Sequence, residues 1–204
     1  MNSSAPKFSN TDPRYWDQRY GVEAFAYGTE PNVFLKSRVP PAPKKGAKAL
    51  CLADGEGRNG VYLAQLGYEV TSLDFSPAAQ KKALSLAALR GVHLHCLLTD
   101  LNTYEMEMSQ WDLIASIFYQ PVLEVRQRHH QKLFEALKPQ GLFILETKVS
   151  LEPDERERYP GTEALSKELS RLEIVYANES EQELNEGTYH QGRQRTAQLV
   201  AQKP

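Results

Sequence analysis

The stretch spanning residues 48–76 constrains the fold of this 204-residue chain more than any other. An apolar run leads into the turn Asp54–Gly60, a helical stretch follows, and a second β-prone run ends at Asp74. Gly55 and Gly57 allow a sharp turn and a close approach of a ligand to the backbone. The free N–H groups and the positive dipole end of the following helix would face that ligand. The pattern therefore predicts a nucleotide-cofactor site, with Asp74 placed to accept both hydroxyls of a ribose.

Two cofactor classes fit this turn, and its charges favour one of them. The residues Gly55-Glu-Gly-Arg-Asn-Gly60 match the G-x-G-x-x-G pattern of NAD-binding proteins letter for letter, although that match alone is weak. In a dinucleotide site the turn is largely apolar, so that a pyrophosphate meets bare backbone. Asp54 and Glu56 would repel a pyrophosphate, but they suit a ligand that carries a cation and an amine. S-adenosylmethionine is such a ligand, and an NAD(P)-dependent oxidoreductase is the alternative.

Five further segments accompany the glycine turn. They are Trp16–Tyr20, Tyr27–Asn32, Trp111–Phe118, Leu137–Gly141 and Glu186–Gly192. With these segments the chain resembles, from about residue 15 to 203, the class I S-adenosylmethionine-dependent methyltransferases. It is similar in particular to a small bacterial group with a Gly-Glu-Gly-Arg-Asn loop, related to the tellurite-resistance and thiopurine methyltransferases. The resemblance implies S-adenosylmethionine as the cofactor and a small-molecule methyl acceptor.

Strand and helix patterns alternate along the chain. Strands are predicted at 47–53, 69–73, 93–98, 113–118 and 142–147, and helices at 58–66, 77–90 and 126–137. A polar hairpin is predicted at 173–184 and 195–201. The resembled family closes its sheet in this way. The predicted fold class is thus α/β, a Rossmann-like, seven-stranded, mostly parallel sheet with a C-terminal antiparallel hairpin and helices on both faces. Residues 1–32 are predicted to form an N-terminal lid segment, with its first ten residues mobile, and residues 33–204 a single methyltransferase domain.

Composition argues against several classes of partner. The net charge is −2, which gives no electrostatic reason to expect nucleic acid or an anionic membrane. No apolar run reaches the roughly 18 residues of a membrane span, and the first residues do not read as a signal peptide. Cys51 and Cys96 are expected on the first and third strands, separated by the second, and hence unpaired in a reducing compartment. We expect a cytoplasmic monomer or weak dimer.

The candidate donor-binding residues come from the strand ends and the N-terminal segment. They are Asp54, Gly55, Glu56, Gly57, Arg58, Asn59, Asp74, Phe75, Ser76, Asp100, Leu101, Ser116, Ile117, Arg19 and Trp16. The family places an acid near the adenine amino group at the position of Asp100, although a solvent-facing cap is a common alternative there. For Ile117 the alternative role is core packing, and for Asp74 it is capping of the helix that follows. Arg19 pairs either with the donor's carboxylate or with a surface acid.

The chain departs from the resembled family near the first strand. This strand ends Cys51-Leu-Ala53, where many relatives carry an acid and a glycine. Asp54 or Glu56 therefore becomes the candidate partner of the donor's amine. Relatives also often carry a histidine after the fourth strand, where this chain has Tyr119-Gln120. The acceptor site is consequently less defined by the resemblance than the donor site.

The acceptor pocket is predicted from aromatic and histidine residues, namely Tyr27, Phe118, Tyr119 and His190. Methyl transfer needs no nucleophilic residue and no metal, so no catalytic residue is assigned. His129 and His130 lack metal-ligand spacing and are predicted to lie on the surface. A thiol or a metalloid anion is the expected acceptor. A non-catalytic regulator that binds the donor is the second alternative.

The segment Trp16–Asn32 is aromatic and too irregular for a strand. One interpretation is a lid, whose rings cover the methyl donor and gain cation–π energy of about 0.5–2 kcal/mol from its sulfonium. The other is a hydrophobic strap that packs on the domain whether or not a ligand is bound. The glycine in Tyr27-Gly-Thr-Glu-Pro-Asn32 could act as a hinge, which favours the lid.

Overall fold

The computed structural model describes residues 12–204, so the mobility predicted for the first ten residues lies outside the described part. The elements in chain order are α1 (Pro13–Tyr20), α2 (Val33–Arg38), β1 (Lys48–Leu52), α3 (Arg58–Gln65), β2 (Glu69–Asp74), α4 (Pro77–Leu89), β3 (His95–Leu98), β4 (Trp111–Ile117), α5 (Leu123–Ala136), β5 (Leu137–Lys148), α6 (Thr162–Glu168), β6 (Glu173–Asn185) and β7 (Gln191–Gln202).

The strands form one seven-stranded sheet with the order β3-β2-β1-β4-β5-β7-β6. Strands β1 to β5 pair in parallel, β7 pairs antiparallel with β5, and β6 pairs antiparallel with β7. The predicted α/β class and the seven strands are confirmed. The order reverses between β1 and β4, because the chain first builds the sheet outward from β1 to β3 and then returns to its other side.

Helices cover both faces of the sheet, which explains why the central strands read as continuous apolar runs. Successive side chains of a strand point to opposite faces. Thus Cys51 packs beneath α2, α3 and α4, whereas Leu50 and Leu52 pack with α5 and α6. Within the described residues both cysteines are free thiols, and β2 separates them through the row Cys51, Ser72 and Cys96. None of the helices in residues 12–204 is long and apolar enough to cross a membrane.

The helix after β2 has the predicted boundaries. The Ser76 hydroxyl accepts the Ala79 N–H at 3.2 Å, and Pro77 occupies the first turn. The helix ends at Leu89 with Arg90 as its C-cap, and Gly91 follows in the left-handed region at φ 68°. These local signals determine the start and direction of α4, which packs against the glycine loop.

The fifth strand differs from its predicted range. It begins at Leu137, not at Leu142, and the Lys138–Gly141 stretch forms an irregularity within it. Leu137 pairs with Trp111, and the next pairing joins Leu142 to Leu113. Pro139 and Gly141 predicted a break between the helix and the strand. In the structure they lie in a bulge, and the strand pairs with β4 on both sides of this bulge. At the opposite edge, β3 begins at His95, two residues later than predicted.

The prediction that His129 and His130 lie on the surface is wrong. Both are buried on α5, with 3 % and 7 % of their surface exposed. His129 Nε2 lies 2.9 Å from the Leu101 carbonyl oxygen, and His130 Nδ1 lies 2.6 Å from Glu168 on α6. These partners lie far away in sequence, so the adjacent histidines gave no local sign of burial. No group of three or more potential metal-ligating side chains occurs within residues 12–204.

Candidate active site

Backbone strain marks the point where the strand order reverses. Ala53 follows β1 at φ 50°, and Phe118 follows β4 at φ 55°. Non-glycine residues seldom adopt this left-handed conformation, which costs about 1–3 kcal/mol and is concentrated at functional sites. In open α/β sheets, ligands bind in the crevice at this reversal, outside the carboxyl ends of the strands. The carboxyl ends of β1 and β4 therefore locate the candidate active site.

Asp74 ends β2 beside this crevice and joins the glycine loop to α4. Its Oδ2 accepts the Gly55 N–H at 2.9 Å, and its Oδ1 accepts the Ser76 N–H at 2.9 Å. Burial raises the pKa of Asp74 to about 6, although these backbone donors partly offset the shift. The carboxylate thus lies at the end of β2, where the sequence predicted it, and backbone N–H groups hold it. Its contact with a ribose stays a prediction.

At Gly55 and Gly57 the absence of a side chain leaves space that other residues of the protein occupy. A Cβ at Gly57 would lie 2.6 Å from the Cβ of Ala83 on α4, and one at Gly55 would lie 2.8 Å from the Tyr20 hydroxyl oxygen. Gly55 and Gly57 also have φ values of 58° and 82°, so other residues would be strained there. In the sequence, the approach of a ligand is one reason for both glycines. The structure adds a second reason, because α4 and Tyr20 already fill the space on the Cβ side.

Asp54 lies beneath the loop, and its carboxylate is engaged by the protein. Oδ2 accepts the Ser72 hydroxyl at 2.8 Å, and Oδ1 accepts the Gly60 N–H at 3.2 Å. A Cβ at Gly60 would collide with Oδ2, which explains the third glycine of the motif. Burial raises the pKa of Asp54 above its ordinary value. These contacts weaken the prediction that Asp54 binds the donor's amine.

Glu56 is also engaged, and its partners belong to α4 and to the N-terminal segment. Lys82 Nζ lies 2.8 Å from Oε1 in a buried ion pair and donates to the Ala24 carbonyl at 2.6 Å. Oε2 accepts the backbone N–H groups of Ala26 at 2.8 Å and Tyr27 at 3.4 Å. Both carboxylate oxygens therefore hold protein donors, so the predicted contact of this side chain with the donor's amine finds no support in the geometry.

Arg58 and Asn59 contribute to a buried polar network. Arg58 forms an ion pair of 2.7 Å with Glu186, which follows β6, and Asn59 Oδ1 accepts the Asn32 N–H at 2.9 Å. The Asn32 amide then donates to Glu146 at 2.6 Å and to Glu186 at 3.0 Å.

Burial opposes ionisation of Glu186, but His190 and Arg58 lower its pKa to about 2. Burial raises the pKa of Glu146. The two side chains predicted to bind cofactor thus bind protein, while their backbone groups stay candidates for that role.

Arg19 lies in an aromatic cluster formed by α1, the following segment and the hairpin. Its guanidinium donates to the Tyr27 hydroxyl at 2.8 Å and also to the Tyr15 hydroxyl. It lies over the rings of Tyr189 at 4.1 Å and Trp16 at 5.3 Å. Within residues 12–204 it forms no ion pair with a carboxylate, so the surface-acid alternative for Arg19 is not observed. Pairing with a donor carboxylate stays a prediction.

His190 forms one wall of the predicted acceptor pocket. Its ring centroid lies 4.5 Å from that of Tyr27 and 4.3 Å from that of Phe118. Its Nδ1 lies 3.7 Å from Glu186 Oε2, close enough to contribute to the low pKa of that carboxyl. Burial lowers the pKa of His190 below its ordinary 6.5, so the ring is uncharged at neutral pH. The structure brings together three of the four residues predicted for this pocket.

The fourth residue, Tyr119, lies elsewhere. It packs with the α5 cluster, 6.0 Å from the His129 ring, and burial raises its pKa. With Ser116 it lines a separate cavity of about 20 Å³ beneath α5, which has room for about one water molecule. Because the backbone at Phe118 is left-handed, the Tyr119 side chain does not follow the alternating directions of the side chains along β4. The position of Tyr119 does not support its predicted acceptor role, which stays a prediction, and a donor role for the Ser116 side chain finds no support in this position.

The remaining candidates have mixed environments. Asp100 is exposed and accepts the Asn102 N–H at 2.8 Å, as a turn cap does. Leu101 and Ile117 are buried in the two core clusters, and Phe75 is half-buried next to Asp74. The adenine contacts predicted for this edge stay predictions.

Two functional candidates were missed by the sequence reasoning. Glu146 interrupts the apolar stretch of β5, and a charge within a buried strand could have signalled a polar network. Lys148 ends the same strand and is half-buried. Its pKa is lowered mainly by burial and, to a smaller extent, by the positive charge of Arg19. It forms no ion pair within residues 12–204.

Comparison with known proteins adds to this geometry. Residues 49–141 match the methyltransferase domain family. This match covers β1 to the beginning of β5, including the glycine loop and Asp74. S-adenosylmethionine is the cofactor that a methyltransferase domain of this kind implies.

Individual relatives agree with the domain. The chain is 33% identical over 109 residues to the uncharacterized methyltransferase YbaJ of Bacillus subtilis strain 168, covering 50% of this chain and 40% of that relative. TehB from Haemophilus influenzae is similar in structure, with a TM-score of 0.68, 20% identity, and coverage of 94% of this chain and 67% of TehB. A SAM-dependent methyltransferase from Methanosarcina mazei has a TM-score of 0.66 and 17% identity, covering 85% and 98% of the two chains. At these identities the two structures show a shared fold, and the relation to one particular methyltransferase group stays a prediction.

Proposed function

We propose that this protein transfers the methyl group of S-adenosylmethionine to a small-molecule acceptor, a thiol or a selenium or tellurium anion. The observation that carries the proposal is the position of Asp74. This buried carboxylate ends β2 beside the glycine loop of a methyltransferase domain, and its hydrogen-bond donors in the described part of the chain are backbone N–H groups. In a sheet of this type, that position suits recognition of a ribose.

The residues present fit the proposed donor. Asp74 accepts the backbone N–H groups of Gly55 and Ser76 at 2.9 Å, and a carboxylate can accept about four hydrogen bonds, so it has capacity for ribose hydroxyls. The rings of Tyr20 and Tyr27 lie nearby, with centroids 6.3 Å apart, and aromatic faces stabilise cations. When bound, S-adenosylmethionine supplies a methyl carbon that is activated by the adjacent sulfonium.

Two cations support an anionic acceptor. Arg19 and Lys148 are half-buried, and neither forms an ion pair with a carboxylate within residues 12–204. Residues 1–11 contain no Asp or Glu that could pair with them. A half-buried charge without a counter-ion is costly, and an anionic ligand would offset that cost. An acceptor that arrives as an anion also needs no general base.

The protein would therefore act mainly by positioning. Orienting two reactants can contribute about 7–11 kcal/mol, and exclusion of water strengthens the contacts of charged groups. Lys148 would hold the acceptor, while Tyr27, Phe118 and His190 would limit its size and exclude water. No residue of this chain needs to form a bond with the methyl group.

Ligand-dependent melting tests the choice of cofactor. S-adenosylmethionine or S-adenosylhomocysteine should raise the melting temperature, since a ligand at 100 times its dissociation constant adds about 2.7 kcal/mol to stability. NAD and NADP should leave the melting temperature unchanged. A shift with the dinucleotides alone would favour the oxidoreductase instead.

Turnover tests the acceptor. Protein with radiolabelled S-adenosylmethionine should transfer label to at least one of an aryl thiol, selenite or tellurite, with S-adenosylhomocysteine as the second product. Transfer to none of them, with donor binding intact, would count against this acceptor class and support the regulator alternative. Lys148→Met should lower turnover of the anion at least tenfold, because a buried charged contact is worth about 1.5–3 kcal/mol.

Donor affinity should depend on pH through Asp74. Its pKa in the free protein is about 6, and hydroxyl donors would stabilise the ionised form and lower that pKa in the complex. Affinity should therefore be constant above pH 6 and fall as the pH decreases below it, by up to about tenfold per pH unit. Titration calorimetry from pH 5 to 8 measures this, and Asp74→Asn should remove the dependence.

A further inference from the structure

The charged and amide side chains of the glycine loop point away from a ligand role and toward two other parts of the chain. These parts are residues 24–33, which follow α1, and the hairpin tip 186–190 between β6 and β7; together we call them the roof. Glu56 binds Ala26 and Tyr27, Asn59 binds Asn32, and Arg58 binds Glu186. All three loop side chains are buried, with 4–6 % of their surface exposed.

The two parts of the roof also hold each other. The Thr188 N–H donates to the Ala26 carbonyl at 2.9 Å. A Cβ at Gly187 would lie 2.5 Å from the backbone of Tyr27 and Gly28, so only glycine allows this approach. The roof is therefore one unit, and its attachments to the loop act on both of its parts.

We propose that Glu56, Arg58 and Asn59 are positioning residues, which fix the roof over the crevice instead of binding the methyl donor with their side chains. Tyr27 belongs to the roof and is held by Glu56, and His190 belongs to it and lies beside Glu186. The positions of these two acceptor-pocket residues are thus set by the loop that approaches the donor. This inference rests on the proposed methyl transfer for its purpose, but its contacts exist without a ligand.

The charges in this arrangement explain why the residue types matter. Glu56 has Lys82 as its counter-ion, and Glu186 has Arg58, and each carboxylate also accepts backbone or amide N–H groups from residues 24–33. A charged acceptor makes a stronger hydrogen bond than a neutral one. The loop therefore attaches the roof through the Glu56 carboxylate, through the Arg58–Glu186 ion pair and through the Asn59 amide.

Amide hydrogen exchange of the ligand-free protein tests the attachment. Glu186→Gln weakens the bond to Arg58 and should quicken exchange in both 24–33 and 186–190 by roughly tenfold or more, with the core strand β4 unchanged. Glu179→Gln is the matched control, because Glu179 lies on the same hairpin and pairs with Arg195 at 2.8 Å, away from the roof. It should leave exchange in 24–33 unchanged. Faster exchange confined to 186–190 in Glu186→Gln would overturn the proposal that the roof is one unit.

Binding kinetics of S-adenosylhomocysteine separate positioning from direct contact. A loosened roof should quicken both association and dissociation at least fivefold while the dissociation constant changes less than threefold. Direct contact predicts faster dissociation alone, and hence a weaker complex. Asn59→Leu should show the first pattern and Asn59→Asp, which keeps the acceptor for the Asn32 N–H, should restore wild-type rates. Weaker binding with unchanged association in Asn59→Leu would overturn the proposal. If the protein bound no donor at all, the proposed function would fail and the exchange experiment would still decide the attachment.

Discussion

Asp74→Ala is expected to weaken binding of S-adenosylmethionine by at least about 2 kcal/mol, roughly thirtyfold, because a charge-assisted contact to two hydroxyls is lost. Calorimetry at pH 7.5 measures the affinity, and the fold should survive since the residue lies at the end of β2. The substitution also removes the acceptor for the Gly55 and Ser76 N–H groups, each 2.9 Å from the carboxylate. The loop should consequently be less ordered in the variant.

Asp74→Asn provides the matched control for shape. It keeps the size of the side chain and one acceptor oxygen, but it loses the charge and the second acceptor. We expect an intermediate affinity that does not depend on pH between 5 and 8. An unchanged affinity of folded Asp74→Ala would remove this residue from the donor site and with it the main support for the proposed function.

Asn32→Ala is expected to destabilise the fold by about 3–7 kcal/mol. The substitution removes the N-cap of α2, worth about 1 kcal/mol, and it takes a donor from two buried carboxylates at about 1–3 kcal/mol each. Asn32 is 1 % exposed and lies 2.6 Å from Glu146 and 3.0 Å from Glu186. Denaturant unfolding measures the loss, because the midpoint should shift while the slope stays constant.

Asn178→Ala is the control for that experiment. Asn178 lies on β6, is half-buried, and its side-chain amide donates to the Ser180 hydroxyl at 2.9 Å and to no carboxylate within residues 12–204. Its loss should cost less than about 1 kcal/mol, as for a single neutral hydrogen bond. Similar losses for both substitutions would show that the carboxylates around Asn32 are satisfied in another way.

Local signals in the sequence were sufficient for the elements around the site. The glycine turn, the capping serine at 76 and the apolar runs each act within a few residues, so the strand–turn–helix unit and the position of Asp74 followed from the sequence. The same reasoning placed β3 and β5 with errors at their ends. In β5 the error arose because a proline and a glycine can form a bulge as well as a break.

The sequence could not predict which side chains contact each other across the fold. Arg58 meets Glu186 across 128 residues, and Asn32 meets Glu186 across 154. Residue types near the loop indicated charge, but they could not indicate whether that charge faces a ligand or another part of the chain. Tyr119 was misplaced for a different reason, since the left-handed backbone of Phe118 ends the alternation on which its direction depended.

The two edge strands of the sheet affect how readily the protein aggregates. An unpaired strand edge is a template for pairing with another chain, and proteins protect such edges with short strands and charges. On one side β3 has only 4 residues. On the other side β6 is long, but its central part carries Glu179, Glu181 and Glu183. A second copy that approached this edge would bring like charges together, so the long hairpin that holds the roof can extend from the sheet without recruiting further strands.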